Sequence, residues 1–496
     1  MPKITPPFFP IIYVRGYAMT KAEIEATVST PYMGFNLGAT KVRQDWKGQV
    51  IKHIFESPLV RLMKDYSYRD IYLDGKEITG AVSPRSIVIY RYYEQGDVDL
   101  GSGKVPSVTE AAEGLGELIV KLRGQVCGED QKAAKAFRVY LVAHSMGGLV
   151  CRCFLQNPSV SSKKVKGLVD KVFTYATPHN GIEMAGMNVP ELLNLWDMNN
   201  FNRDKMAGYL ALPGKPERVD DLNGTFDPKR FFCLVGTNHK DYAVAAGLSR
   251  FMAGERSDGL VKIENATVRN APRAFVYRSH SGAYGIVNSE EGYQNLIRFL
   301  FGNVQVNGML EVEKLPLPPP VQKAYDDKKK VRGSYFFEAT VSPRGSIDYK
   351  LTERLKETHS AVFRTFDEIL RVGKADSLPA PRMPVLFSVF LDTNKITIGR
   401  TVVFGVDLRV SSTEFEIDGL LFFDRSIPGE YLFRNTIVIR ATPDGDSWNV
   451  RYNLADDAWS DTRGRDAARD EEGYVIPLQS AKGFKGKLRL DARTWR

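Results

Sequence analysis

The sequence predicts an α/β protein in which a doubly wound, mostly parallel sheet over residues 1–305 precedes an antiparallel β domain over residues 333–496. Three observations predict it. Short apolar runs alternate with amphipathic helical patterns through the first 305 residues, as a parallel sheet requires, because each return crossing needs a helix. A proline-rich and charged stretch, 306–332, follows and reads as a linker. Beyond it, strands succeed one another, rich in β-branched and aromatic residues, with turns such as Pro443-Asp444-Gly445 between them. That pattern fits a sandwich or barrel.

In chain order, the first region carries strand candidates at 11–15, 86–92, 138–143, 171–175, 231–235 and 274–278. Helices are expected over 107–124, 147–155 and 289–301; in the first, Leu115, Leu118, Ile119 and Leu122 recur at helical spacing. The run Leu315-Pro316-Leu317-Pro318-Pro319-Pro320 argues against regular helix and central strand alike. The second region offers strands at 335–341, 385–391, 395–410, 431–441 and 447–452, with one helix around 361–372. There is no internal repeat.

Composition bounds the function classes. Of 496 residues, 43% are hydrophobic and 26% charged, which suits a globular chain with a sizeable core. The four cysteines have no disulfide or zinc spacing, so no structural metal is expected. The net charge of +9 is dispersed, and no zinc-finger or RNP-type motif accompanies it, so nucleic acid is not an expected partner. The apolar run from Phe8 to Val14 lacks the basic flank and cleavage site of a signal peptide, and no stretch is long enough to span a bilayer. A cytoplasmic protein, or one exported without a cleaved signal, is expected. Gly101-Ser102-Gly103-Lys104 lacks the first glycine and the Ser/Thr of a phosphate loop and reads as a turn.

The strongest chemical signal is Leu141-Val142-Ala143-His144-Ser145-Met146-Gly147-Gly148. A strand ends at Ala143 and a helix starts at Gly147, so Ser145 sits on a sharp turn that demands small residues two before and two after it. A serine hydroxyl needs a base to take its proton and a third group to orient that base. On such a sheet the chain order is Ser, acid, His. Of the six histidines, His53 and His144 precede Ser145, His359 lies past the linker, and His179 follows too soon. His280, just after the last strand candidate, is the expected base over His239. Asp258, followed by the turn-permitting Gly259, is the expected acid over Asp241. The oxyanion of a tetrahedral intermediate calls for two backbone donors. Met146 N–H, at a helix N-terminus, and Tyr17 N–H, after the first strand, are the candidates.

These residues resemble the lipase branch of the α/β-hydrolase superfamily, close to GPI inositol-deacylase-like and bacterial triacylglycerol lipase-like proteins. Four blocks carry the resemblance: Arg15-Gly16-Tyr17, the Ser145 elbow, Thr177-Pro178-His179-Asn180-Gly181, and Ser257-Asp258-Gly259 followed by His280. It covers about residues 8–303. It implies an α/β-hydrolase fold, a Ser145–Asp258–His280 triad, an oxyanion hole of Tyr17 and Met146, and acyl-ester cleavage without a cofactor or metal. The family commonly has His-Gly where this chain has Arg15-Gly16. Arg15 is then either outward-facing, part of a structural ion pair, or a substrate-binding group for a phosphate or carboxylate. Residues 184–212, rich in large apolar side chains, form either a lid or a fixed cap. The expected function is that of a lipase or phospholipase-like serine esterase in lipid metabolism, acting on an ester or lipid substrate. An acyltransferase or thioesterase with the same triad, and a non-catalytic binding protein, remain alternatives. The β domain is a candidate for peripheral contact with lipid surfaces.

Overall fold

A computed structural model of the chain describes residues 4–16, 39–44, 50–55, 58–73, 76–77, 80–90, 92, 106–184, 187–188, 201–240, 256–281, 285–344, 349–353, 362–371, 383–396, 399–418, 425–445, 447–457 and 464–495. The chain divides into two compact units, Met1–Arg273 with Arg278–Phe301, and Ala274–Tyr277 with Gly302–Arg496.

The first region is built on a seven-stranded sheet. Its strands are β1 (Ile11–Val14), β2 (Arg69–Asp70), β3 (Ser86–Tyr90), β4 (Val139–His144), β5 (Val169–Tyr175), β6 (Phe231–Gly236) and β7 (Arg273–Val276). The order across the sheet is β7-β6-β5-β4-β1-β3-β2, and the pairings from β6 to β2 are all parallel. β1 and β6 are buried along their whole length, the pattern of strands covered on both faces. The chain runs from β1 to one side, returns beside it as β3, then crosses to β4 and continues outward. The reversal of direction at β1 makes the carboxyl ends of β1 and β4 a topological switch point, where open α/β sheets hold their sites. Val14 and Ala143 are paired there.

Four helices matter to the site: α1 (Pro58–Tyr66), α2 (Val108–Cys127), α3 (Gly147–Gln156) and α4 (Glu290–Phe301). Ser107 and Glu110 form a reciprocal capping box that starts α2, and its Leu115, Ile119 and Leu122 are buried as their spacing requires. Every residue of α3 is buried. Each of the six expected strands is present with ends within two residues; the short β2 is an addition.

The second unit contains two open antiparallel sheets. The five-stranded sheet runs Val385–Leu391, Val304–Lys314, Lys485–Thr494, Gly473–Gln479, Ala468–Asp470. The six-stranded sheet runs Val362–Thr365, Ser334–Pro343, Val402–Ser412, Tyr431–Asp444, Ser447–Leu454, Arg465–Asp466. Alternate burial along Val402–Ser412 and Lys485–Thr494 gives each sheet one covered face. Tyr474 joins them: its hydroxyl donates to Trp448 O at 2.6 Å and accepts from Trp448 N at 3.1 Å.

Three expectations are corrected. The linker expected over 306–332 is structured. Val304–Lys314 is a strand paired on both sides, with Val304, Val306, Leu310 and Val312 buried at alternating spacing. Pro319–Asp326 is a helix that begins on Pro319-Pro320, because first-turn N–H groups have no helical acceptor to lose. The helix expected around 361–372 is instead the strand Val362–Thr365 followed by a single π-helical turn, Asp367–Arg371; the β-branched and aromatic Val362, Phe363 and Thr365 suit the sheet edge. The strand expected from 395 begins at Val402, after a short 3-10 turn at Thr393–Lys395 capped by Asp392. Among the described residues, no helix is long and apolar enough to cross a membrane, and no cluster of His, Cys, Asp and Glu is placed to hold a metal.

Candidate active site

Ser145 follows β4 directly and precedes α3, with φ at +52°, the left-handed region that L residues avoid. The surroundings over-determine this conformation. Ser145 N donates to Tyr175 O at 3.0 Å, Gly148 N to Ser145 O at 3.1 Å, and Thr177 Oγ1 to Ser145 O at 2.9 Å. Glycine is forced nearby. A Cβ on Gly147 would fall 2.0 Å from Val14 O, and one on Gly16 would fall 2.6 Å from Ser145 Cβ. The tight turn thus presents the hydroxyl at the switch point of the sheet.

His280 and Asp258 complete a chain of hydrogen bonds. His280 Nε2 lies 3.0 Å from Ser145 Oγ, and His280 Nδ1 lies 2.8 Å from Asp258 Oδ2. The carboxylate only accepts, so the imidazole carries its proton on Nδ1 and leaves Nε2 free to accept from Ser145. Asp258 Oδ1 is held by Leu260 N at 3.0 Å and Val261 N at 2.8 Å, a turn that Gly259 permits at φ +102°. His280 N also donates to Asp258 O at 2.9 Å, so both backbones are clasped. Ser145, Asp258 and His280 are 8%, 1% and 3% exposed, which leaves little water to weaken the chain electrostatically.

Several supports were not legible in the sequence. His144 Nε2 lies 2.9 Å from His280 O, and its ring centroid lies 5.0 Å from that of His280. Burial, and then the neighbouring His280, hold His144 well below the usual histidine pKa; it is neutral and donates from Nε2. The loop 177–181 is scaffolding. Asn180 Nδ2 donates to Asn265 Oδ1 at 2.9 Å and Asn180 Oδ1 accepts from Val219 N at 2.8 Å. His179, wholly buried and held neutral first by burial and then by Arg152, meets Thr174 Oγ1 at 3.1 Å. Arg152, also wholly buried, bonds only neutral acceptors: Gln156 Oε1 and the carbonyls of His179, Val219 and Asp221. A bidentate Arg278–Glu291 pair fixes the segment before His280 to the first turn of α4.

Of the expected oxyanion donors, Met146 is the residue immediately before α3, where helix N–H groups face outward. Tyr17 and the rival acid Asp241 lie outside the described residues. Arg15 follows β1 directly; its carbonyl accepts from Tyr92 Oη at 3.0 Å. Within the segment 184–212, residues 185–186 and 189–200 lie outside the described set, while the rest includes the packed helix Arg203–Tyr209, with Phe201, Met206 and Leu210 buried.

A parallel sheet with helical crossings and a strained serine turn at its switch point define an α/β-hydrolase fold. Residues 99–207, which include the serine turn, match the family model described as the PGAP1-like alpha/beta domain, so this part of the chain is similar to that family. Among solved structures, the chain is similar to a protein of Lactobacillus plantarum taken to be a cell surface hydrolase, with 12% identity, 60% of this chain and 91% of that chain covered, and a TM-score of 0.22. It is also similar to a chain of the Tle4-Tli4 complex, with 15% identity, 58% and 66% covered, and a TM-score of 0.20. A search of curated proteins found no match.

Proposed function

We propose that this protein is a serine hydrolase that cleaves carboxylic esters of lipid-like substrates through an acyl-enzyme. The observation that carries the reading is the continuous hydrogen-bonded chain Ser145 Oγ–His280 Nε2 and His280 Nδ1–Asp258 Oδ2, at 3.0 and 2.8 Å, on a serine held at positive φ. In this reading His280 takes the hydroxyl proton as Ser145 Oγ attacks the ester carbonyl carbon. The carbonyl oxygen becomes an oxyanion, which Met146 N–H and Tyr17 N–H stabilise; such a donor is typically worth about 3 kcal/mol. Collapse breaks the bond to the alkoxide oxygen, which leaves with the proton from His280. Water, deprotonated by the same imidazole, then attacks the acyl carbon and releases the carboxylic acid and free Ser145. Asp258 holds the tautomer and stabilises the imidazolium. Every group needed for these steps belongs to the chain itself.

The test is hydrolysis of p-nitrophenyl esters from acetate to long-chain acyl, with fluorophosphonate labelling. Wild type is expected to hydrolyse at least one ester and to label at Ser145. The Ser145→Ala variant is expected to lose both, with a fall in kcat of several orders of magnitude and little change in fold. Unchanged hydrolysis by Ser145→Ala would overturn the assignment. Product analysis with and without an added alcohol separates transfer to water from transfer to an acceptor.

A further inference from the structure

We propose that His144 is a positioning residue that keeps the base His280 aimed at Ser145 while the serine is acylated. This inference rests on the ester-hydrolase reading above. His280 lies beyond the end of β7, outside any strand or helix, so its backbone depends on bonds from elsewhere. Its N–H donates to Asp258 O at 2.9 Å, and its carbonyl accepts from His144 Nε2 at 2.9 Å. The first of these, like the 2.8 Å bond from Nδ1 to Asp258 Oδ2, joins the base to the acid. The second joins it to the serine turn. His144 is the last residue of β4, paired there with Tyr175 of β5, and Ser145 is the next residue. The clamp is thus anchored on the sheet and moves with the nucleophile.

The two halves of the reaction make different demands on this tie. The direct contact of His280 Nε2 with Ser145 Oγ, 3.0 Å, is a hydrogen bond only while the serine carries its proton. In the acyl-enzyme Oγ is an ester oxygen with no proton to give. That bond is then gone at the stage when His280 must take a proton from water. The bond from His144 involves no reacting atom and persists through both halves. The ring chemistry suits the task. A carbonyl only accepts, so Nε2 carries the proton and Nδ1 is bare. Burial, and then the neighbouring His280, keep the His144 ring neutral. A fixed cation in its place would oppose the imidazolium that His280 becomes. The two ring centroids lie 5.0 Å apart, so the clamp also packs against the group it holds.

The experiment follows hydrolysis of p-nitrophenyl butyrate by stopped flow in wild type, His144→Leu and His144→Gln. The burst of p-nitrophenol reads acylation and the steady phase reads deacylation. Leucine occupies the space without a donor, whereas the glutamine amide returns an N–H near the place of Nε2. In His144→Leu, deacylation should slow by about tenfold to a hundredfold, the scale of a small misplacement of a reacting group. Acylation should slow less, because the hydroxyl still registers the base in the free enzyme. The acyl-enzyme should then accumulate, with kcat and KM falling together and kcat/KM falling less than kcat. His144→Gln should recover most of the lost deacylation rate. Equal slowing of both phases, unchanged deacylation, or a glutamine variant no better than leucine would overturn the proposal. A measurement on wild type needs no variant to fold. Nitrogen-15 NMR of labelled histidines, with the His144 ring assigned by its proximity to that of His280, should find it neutral and protonated on Nε2 before and after fluorophosphonate labelling of Ser145. A proton on Nδ1 instead, or an Nε2–H that exchanges freely once Ser145 is labelled, would refute the clamp. If wild type turned over no ester, the ester-hydrolase reading would fall, and this inference with it; turnover with deacylation indifferent to His144 would sink this inference alone.

Discussion

Ser145 is held in a backbone conformation that costs an L residue about 1 kcal/mol or more, and hydrogen bonds with Tyr175, Gly148 and Thr177 keep it there. Glycine suffers no such cost, whereas alanine retains it. Ser145→Gly is therefore expected to be more stable than Ser145→Ala by about 0.5–1 kcal/mol, after the extra chain entropy of glycine is set against the relief. The two variants are equally devoid of the hydroxyl, so a comparison of their Tm values isolates the backbone; an alanine variant melting at or above the glycine variant would refute the strain. At this scale the sequence was informative where a residue's type is dictated by local geometry. Ser145, between Ala143 and Gly147, and Asp258, before Gly259, could be read because the turn permits few alternatives. Arg152 and Asn180 could not. A polar residue on a helix reads as solvent-facing, and the carbonyls that satisfy Arg152 come from residues 179, 219 and 221, distant in sequence from it.

At the scale of elements, Lys171 shows how a strand can secure a helix end. It lies on β5, 1% exposed, and its Nζ donates to Leu300 O at 3.1 Å and Phe299 O at 3.3 Å, the carbonyls that α4 leaves open at its C-terminus. Burial, partly countered by Asp170, lowers its pKa to about 8. The folded pKa lies below the unfolded value of 10.5, so between those values the unfolded chain binds more protons than the folded one. Stability from this group therefore rises as pH increases from about 8 to about 10.5, and is lowest below pH 8. Chemical denaturation of wild type and Lys171→Met at pH 7 and pH 10 should show the difference between them shifting toward wild type by up to roughly 3 kcal/mol. An unchanged difference would mean that the amine titrates alike in both states. Elements were most legible where period and length agreed, as in α2. They were least legible around Pro316–Pro320, where proline content suggested a break. Proline forbids only an interior helical N–H, and Pro319-Pro320 occupies the first turn, where none is required.

For the whole molecule, the order of alternating strands and helices was enough to expect a doubly wound sheet, because parallel strands need crossings and crossings need helices. The end of that region was not readable. Val304–Lys314 follows α4 after only two residues and alternates like any half-buried strand, so composition gave no break where the second unit starts at Gly302. The same topology separates Ser145, Asp258 and His280 in sequence. Ser145 leaves β4 near the middle of the sheet, while Asp258 and His280 follow β6 and β7, and Ser145 and His280 are 135 positions apart in sequence. Local structure such as α2 and α3 can form long before that separation is closed, since contacts so distant in sequence are slow to be made. Refolding from denaturant should therefore show far-ultraviolet dichroism recovering ahead of esterase activity, and simultaneous recovery would contradict this order. If Ser145 is the nucleophile proposed above, a chain emerging from the ribosome is chemically silent: the serine has been synthesised, yet it stays harmless to nearby esters until residue 280 has emerged and docked. In that reading, catalytic competence is a certificate of completed folding, issued by the segment that follows the last strand of the sheet.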